Sequence, residues 1–230
     1  MKHHTEMENH FDGSPVLVIG NGGSLKDVPT ELFDKYPTFG MNSCYANDYL
    51  NENPVDVYCI EGLGHLKNEA ERSARMPYIE KVAEAGGFSL VNRRMAHHFQ
   101  HLPNVYYIDY VNPAGQHHKS FEFQPFDYYG SGHCVTFCVL QFAYYLTTGE
   151  VLMVGLDHKF DGDKWHGYDE AKSPEFSPMP QAEYQKFRTR VDPKFNEVAE
   201  VYRLTNRTLL NLTPASDAKM FESDDMENWL

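Results

Sequence analysis

Long hydrophobic runs are missing from this chain of 230 residues. The longest apolar stretch, near Cys134 to Leu146, falls short of the ~20 residues that cross a bilayer. No secretory signal precedes the first apolar run, so neither a membrane span nor export is expected. Positive charge is scarce as well: 20 Lys and Arg stand against 33 Asp and Glu, a formal net charge of -13. That balance excludes nonspecific grip on nucleic acid or an anionic membrane, where basic patches carry the affinity. The four cysteines (Cys44, Cys59, Cys134, Cys138) lack Cys-x-x-Cys spacing, and each sits in an apolar or strand-like context. They read as buried free thiols in a reducing compartment, which makes a cytoplasmic location the expectation. Internal repeats and low-complexity segments are absent too.

What is present is most informative at Pro15-Val16-Leu17-Val18-Ile19, an aliphatic run that stops at Gly20-Asn21-Gly22-Gly23-Ser24-Leu25. A run apolar on both faces reads as a buried parallel strand. Glycines let the backbone turn sharply and approach a ligand, leaving N–H groups free for an anion. At the carboxyl end of a first strand in an open α/β sheet, the usual anion is a nucleotide phosphate. The dinucleotide fingerprint needs glycine at its sixth position, and Leu25 stands there, so a nicotinamide or flavin site is not expected.

Further strands are read at Thr38–Met41, Val55–Ile60, Phe88–Val91, Val105–Ile108, Val151–Val154 and Thr208–Leu212. Helical composition lies between them: Val28–Lys35, Leu66–Ala85 with an interruption at Pro77, Arg93–His101, and a buried helix over Ser131–Thr147. Helical periodicity resumes at Phe195, Val198, Val201, Tyr202 and Leu204. This alternation predicts a single α/β domain over residues 1–230, a Rossmann-like doubly wound, mostly parallel sheet with helices on both faces. Tyr110–Gly130 and His158–Val191 lack apolar periodicity and adjoin carboxyl ends of strands; the second reads as a long lid loop. The acidic segment 222–230 reads as a solvated tail.

Taken in order, the turns resemble a known set. Gly20-Asn21-Gly22-Gly23-Ser24-Leu25 is similar to the Gly-Asn-Gly-Pro-Ser-Leu opening of bacterial sialyltransferases that use CMP-sialic acid. Met41-Asn42-Ser43-Cys44-Tyr45 resembles their Cys-Asn-Gln-Phe-Tyr segment, and Ser131-Gly132-His133 their Thr-Ser-Gly helix start. Gly155-Leu156-Asp157 and Leu212-Thr213-Pro214-Ala215-Ser216 are similar to their Gly-Ile-Asp and Cys-Pro-Asn-Ser. The same skeleton recurs in archaeal hydroxymethylpterin diphosphokinases and in phage-borne proteins described as glycosyltransferases. The resemblance implies a nucleotide site formed by Gly20, Asn21, Gly22, Gly23, Ser24 and Asn42, with Ser131 and Gly132 offering hydroxyl and N–H at a helix start, and Asp157 on its floor. Where those enzymes carry a tyrosine for the leaving phosphate this chain has Lys159, and their late His-Tyr-x-Gly-His segment has no counterpart.

The function implied is glycosyl transfer from a nucleotide sugar, with a CMP-sugar as the first choice of donor, to a hydroxyl on a small molecule or glycan. The expected catalytic residues are His166 as base, Lys159 at the leaving phosphate, and Asp157; His133 and His158 are rival bases. No resident cofactor or metal is required on this reading, since Asp161-Gly162-Asp163 reads better as a turn than as paired metal ligands. Two alternatives stay open. One is Mg-dependent diphosphokinase chemistry, which would make Asp157, Asp161 and Asp163 central; the other is a nucleotide-binding module without chemistry. His97 and His101 read as a solvated helix face, His117-His118 as equivocal, and Arg188 and Arg190 as either a phosphate clamp or partners of Glu183 and Asp192. Phe121, Phe123, Phe126, Tyr128 and Tyr129 read as a hydrophobic plug or a stacking platform. Oligomerisation is left open by these features.

Overall fold

A computed structural model describes residues 7–60, 69–109, 119–126, 129–130, 134–159 and 180–230. Eight strands form one sheet: β1 (Val16–Ile19), β2 (Thr38–Met41), β3 (Val57–Ile60), β4 (Phe88–Asn92), β5 (Val105–Ile108), β6 (Val151–Val154), β7 (Leu209–Asn211) and β8 (Glu222–Ser223). Their order is β5-β4-β3-β2-β1-β6-β7-β8, and every neighbouring pair is parallel. The chain therefore winds outward from β1 to β5, returns across the sheet, and winds outward again from β6. The reversal falls between β1 and β6, where open α/β sheets form their ligand crevice at the carboxyl edge.

Alternation along the strands explains the two layers of helices. Val16, Val18, Phe39, Met41, Val57, Cys59, Val151 and Met153 face one cluster, while Leu17, Ile19, Tyr58, Ile60, Leu152 and Val154 face the other. On the first face lie α5 (Val135–Leu146) and α6 (Gln181–Leu204), through Phe137, Phe142, Val191, Phe195 and Tyr202. The second face is covered by α1 (Thr30–Lys35), α2 (Asp48–Glu52), α3 (Glu69–Glu84) and α4 (Ala96–Phe99), through Leu32, Leu50, Ile79, Val82 and Phe99. The doubly wound α/β architecture read from the sequence is what the chain adopts. Among the described residues no helix is long and apolar enough to cross a membrane.

Three local readings are corrected. Helix α3 continues through Pro77 instead of breaking there; Tyr78, Ile79 and Val82, buried beyond the proline, anchor the helix strongly enough to carry the missing hydrogen bond. The segment read as lid over His158–Val191 is helical from Gln181 onward. Buried Tyr184, Val191, Phe195, Val198 and Tyr202 keep intervals of seven, four, three and four residues, one helix face straight through Pro193. The remainder of that segment, 160–179, lies outside the described residues. Finally, the acidic tail is docked: β8 pairs with β7 through Leu210↔Glu222 and Asn211↔Ser223. Trp229 meets the ring of Tyr36 edge-on, and Lys35 Nζ donates to the carbonyl oxygens of Trp229 and Leu230 at 3.0 and 2.6 Å.

Candidate functional site

The turn after β1 is tied to both neighbouring strands. Gly20 N–H donates to Val154 O and Gly22 N–H to Gly155 O, each at 2.8 Å, so the turn lies directly against the end of β6. On its other side, Asn21 Nδ2 donates to Met41 O at 3.1 Å, at the end of β2. Asp157 closes the arrangement. Its buried carboxylate accepts from Ser24 Oγ at 2.8 Å and from Ser24 N at 3.3 Å to each oxygen.

This geometry gives the glycines a structural demand of their own. A β-carbon on Gly20 would stand 2.4 Å from Gly155 O, and one on Gly22 would stand 1.9 Å from Asp157 Oδ2. Bare backbone is needed because two turns of the protein meet here, and Gly155 itself sits at φ +67. The anion at the start of the short 3-10 turn Gly23–Asp27 is the chain's own Asp157, so the Ser24 N–H is already committed. Asp157, Ser24 and the three glycines are brought together as the sequence predicted, in an internal partnership it did not predict.

Two side-chain oxygens at this edge remain unsatisfied. Asn21 Oδ1 and Asn42 Oδ1 are both buried and find no hydrogen-bond partner among the described residues. The orientation of Asn21 is set by its bond to Met41, which requires the NH₂ group on that side. Asn42 occupies the left-handed region at φ 47, with its N–H donating to Cys59 O at 3.0 Å and its carbonyl accepting from the Tyr58 hydroxyl. The carboxyl ends of β1 and β2 thus hold two carboxamides with acceptor capacity to spare, that of Asn21 fixed by its bond to Met41.

Beyond β6 the backbone is clamped from β7. Leu156 N–H donates to Thr213 Oγ1 at 2.9 Å, Ser216 Oγ donates to Leu156 O at 2.6 Å, and Asp217 N–H donates to Asp157 O at 2.8 Å. Within the motif Leu212–Ser216, the hydroxyls of Thr213 and Ser216 hold the end of β6. Next comes His158 at φ 50, whose Nε2 lies 2.5 Å from Asp192 Oδ1 on α6. Asp192 Oδ2 accepts from Arg188 Nη2 at 3.3 Å. Tyr184, one turn before Arg188, is buried, and that burial, together with the Asp217, Asp192 and Asp157 carboxylates, pushes its phenol up to about 12. The sequence offers Asp192 as an ion-pair partner of Arg188 or Arg190, a pairing the structure makes with Arg188, and does not single out Tyr184; the spacing 184, 188, 192 is the signal that places them on one helix face.

The other candidates separate cleanly. Lys159 follows His158 and is half-buried. His166, Ser131, Gly132, His133, Asp161, Asp163, His117, His118 and Tyr128 lie outside the described residues. Arg188 is held by Asp192 within its own helix, and Arg190 is exposed. Phe121, Phe126 and Tyr129 are buried against Phe137, Phe142, Tyr144 and Tyr145, as a plug would be, whereas Phe123 remains 50 % exposed. His97 packs on His98 at 3.9 Å between ring centroids, and α4 ends before His101. Among the described residues no group of three His, Cys, Asp or Glu side chains is placed to hold a metal. A cavity of about 480 Å³ sits at the opposite, amino edge of β2 and β3, between Phe33, Tyr36 and Tyr49. Its carboxylates are engaged internally, Asp34 with the Tyr49 hydroxyl and Asp56 with Thr38.

Neither a scan of family models nor searches of curated proteins and of solved structures returned a match to this chain.

Proposed function

We propose that the protein transfers a sugar from a nucleotide-sugar donor to a hydroxyl acceptor, with the nucleoside held at the carboxyl ends of β1 and β2. The observation that carries this reading is the pair of buried, unsatisfied carboxamide oxygens on Asn21 and Asn42. Each costs about 1–3 kcal/mol while unpaired, a cost that a ligand donor would remove. An acceptor oxygen has no use for phosphate, which offers acceptors only. It suits the hydroxyls of a ribose or the exocyclic amino group of a base. Asn21 stands in the turn at the β1/β6 reversal, the usual crevice of open α/β sheets, and Asn42 one strand away at the end of β2. The ordered resemblance to sialyltransferase turns supports the same assignment and favours a CMP-sugar.

In this reading the half-buried Lys159 neutralises the leaving phosphate as a point charge. Asp157 acts indirectly, by holding Ser24 and the turn in place. A thermal-shift screen against CMP, UDP, GDP, ATP and their sugar conjugates tests the proposal. A ligand at a hundred times its dissociation constant adds about 2.7 kcal/mol of stability. Stabilisation by a nucleotide that is reduced by Asn21→Leu or Asn42→Gly supports the site, and no shift across the panel refutes it. EDTA should leave the affinity within a few-fold; a loss of about a hundredfold, ~2.8 kcal/mol, would favour Mg-dependent phosphotransfer instead.

A further inference from the structure

The carboxyl end of β6 carries a second feature that the nucleoside site does not use. His158 directly follows Asp157, and its backbone is held at φ 50, a region that a histidine enters at a cost. Thr213 Oγ1 accepts from the Leu156 N–H, while Ser216 Oγ and the Asp217 N–H donate to the carbonyls of Leu156 and Asp157, and these three bonds over-determine this end of the strand. The imidazole is held by two contacts, one of them braced in turn. Its ring packs on Phe195 at 5.2 Å between centroids, Nε2 meets Asp192 Oδ1 at 2.5 Å, and Arg188 fixes the other oxygen of that carboxylate. Nε2 must carry the proton it donates to Asp192, so the tautomer leaves Nδ1 as a proton acceptor.

We propose that His158 is the general base of this site and that Asp192 is its positioning residue. The assignment rests on the glycosyl-transfer reading above and names the residue that removes the acceptor's proton. In the reaction, the acceptor O–H proton passes to Nδ1 of His158. The acceptor oxygen's electron pair forms the bond to the anomeric carbon. The bond from that carbon to the phosphate oxygen breaks, and its electron pair leaves with the nucleotide. The imidazolium so formed is offset by the Asp192 carboxylate and later returns its proton to solvent.

The charges around the ring suit this task. Burial holds the imidazole below its ordinary value, and Arg188 adds to that, while the Asp192 hydrogen bond, its charge and Asp217 oppose it. The ring is therefore neutral near pH 7 and available as a base. Charged groups face it from α6 (Asp192, Arg188) and from the turn after β7 (Asp217); its chain neighbours Asp157 and Lys159 complete the surroundings.

The test uses nucleotide release from CMP-sialic acid, UDP-glucose, UDP-N-acetylglucosamine and GDP-mannose with water as acceptor. The informative variants are His158→Asn, which tolerates the left-handed backbone and takes up no proton at neutral pH, and His158→Gln, whose longer amide places its nitrogen near the imidazole Nε2 and can still donate to Asp192, so that a structural role survives. In both, turnover should fall roughly 10²–10⁴-fold, the usual span for a positioned base, with nucleotide affinity little changed. Asp192→Asn keeps the partner's shape, removes its charge and lowers the imidazole further, so the acid limb of the kcat profile should move to lower pH. Turnover of His158→Asn within threefold of wild type overturns the assignment and leaves glycosyl transfer standing. So does an Nδ1–H tautomer seen by ¹⁵N NMR of the wild-type ring. No nucleotide released from any donor overturns the transfer reading and, with it, the base.

Discussion

Replacing Gly22 by alanine should damage the fold through a carboxylate that lies 135 positions further along the chain. The β-carbon would stand 1.9 Å from Asp157 Oδ2, 2.8 Å from its Cγ and 2.6 Å from Gly155 O, so the carboxylate must leave Ser24. What is lost is a 2.8 Å bond from Ser24 Oγ and a shared, longer bond from Ser24 N. Hydrogen bonds to a charged group contribute about 1.5–3 kcal/mol, and the shared N–H adds a fraction of one, so the expected loss is about 2–4 kcal/mol. Asp157→Ala removes the same bonds and should cost a similar amount. Because those bonds can be lost only once, the double variant should be less destabilised than the sum of the singles, by about 1.5–3 kcal/mol. Urea unfolding of the four proteins measures each term. Gly86→Ala is the control: its φ is +90 and its β-carbon meets nothing within 4 Å. It should cost about 1–2 kcal/mol from backbone strain alone and show no coupling to Asp157. Additivity of Gly22→Ala and Asp157→Ala within about 0.5 kcal/mol would refute the reasoning and return the glycine to a role in ligand approach.

Pro77→Ala should stabilise the protein by about 1–3 kcal/mol in urea unfolding, since the exposed proline interrupts the hydrogen bonding of α3 without being buried itself; an unchanged midpoint would mean that the helix already compensates for it. With a thiol reagent at pH 8, the half-exposed Cys134 should react first, and Cys44, Cys59 and Cys138 only on unfolding. While folded, Cys44 is protected twice, because burial both covers its thiol and pushes it up to about 12. The lowered imidazole of His158 should contribute stability that is fully present above its unfolded value near 6.5 and is lost as pH falls through the folded one. His158→Asn should accordingly flatten that part of the stability–pH curve; an unaltered slope would place the titration elsewhere.

The central strands were legible because parallel strands buried on both faces leave apolar runs, and Thr38–Met41 and Val151–Val154 coincide with theirs residue for residue. Val105–Ile108, at the sheet's edge and mostly half-buried, coincides too, carried by its β-branched and aromatic residues. β8 had no such signal, being two exposed residues paired to β7 through backbone alone. The helices failed at prolines. Pro77 reads as a stop by its missing N–H, yet Tyr78, Ile79 and Val82 are buried just beyond it and outweigh one lost bond. The start of α6 was hidden for a related reason. Tyr184 and Val191 are its only buried positions before Phe195, and charged residues between them dilute the apolar stripe.

At the site, chemistry was legible by type and illegible by partner. A strand followed by glycines announced a turn under tight steric demand, and that demand is real, but its source is the turn at Gly155 and Asp157, whose carboxylate lies 133 positions beyond Ser24. Histidine next to that aspartate was visible as one rival base among three, while the group that fixes its ring, Asp192, lies 34 positions away on a helix read as loop. Neither separation leaves any periodicity in the sequence, because both contacts are made by the crossovers that return the chain to the sheet. What distinguishes His158 from an ordinary buried histidine is therefore topological. β6 brings it to the same edge as the turn after β1, α6 brings Asp192 back over that edge, and the turn after β7 fixes the backbone between them. Three successive returns of the chain converge on one strand end. A perturbation of any of them should be felt first in the ring's tautomer and only afterwards in global stability.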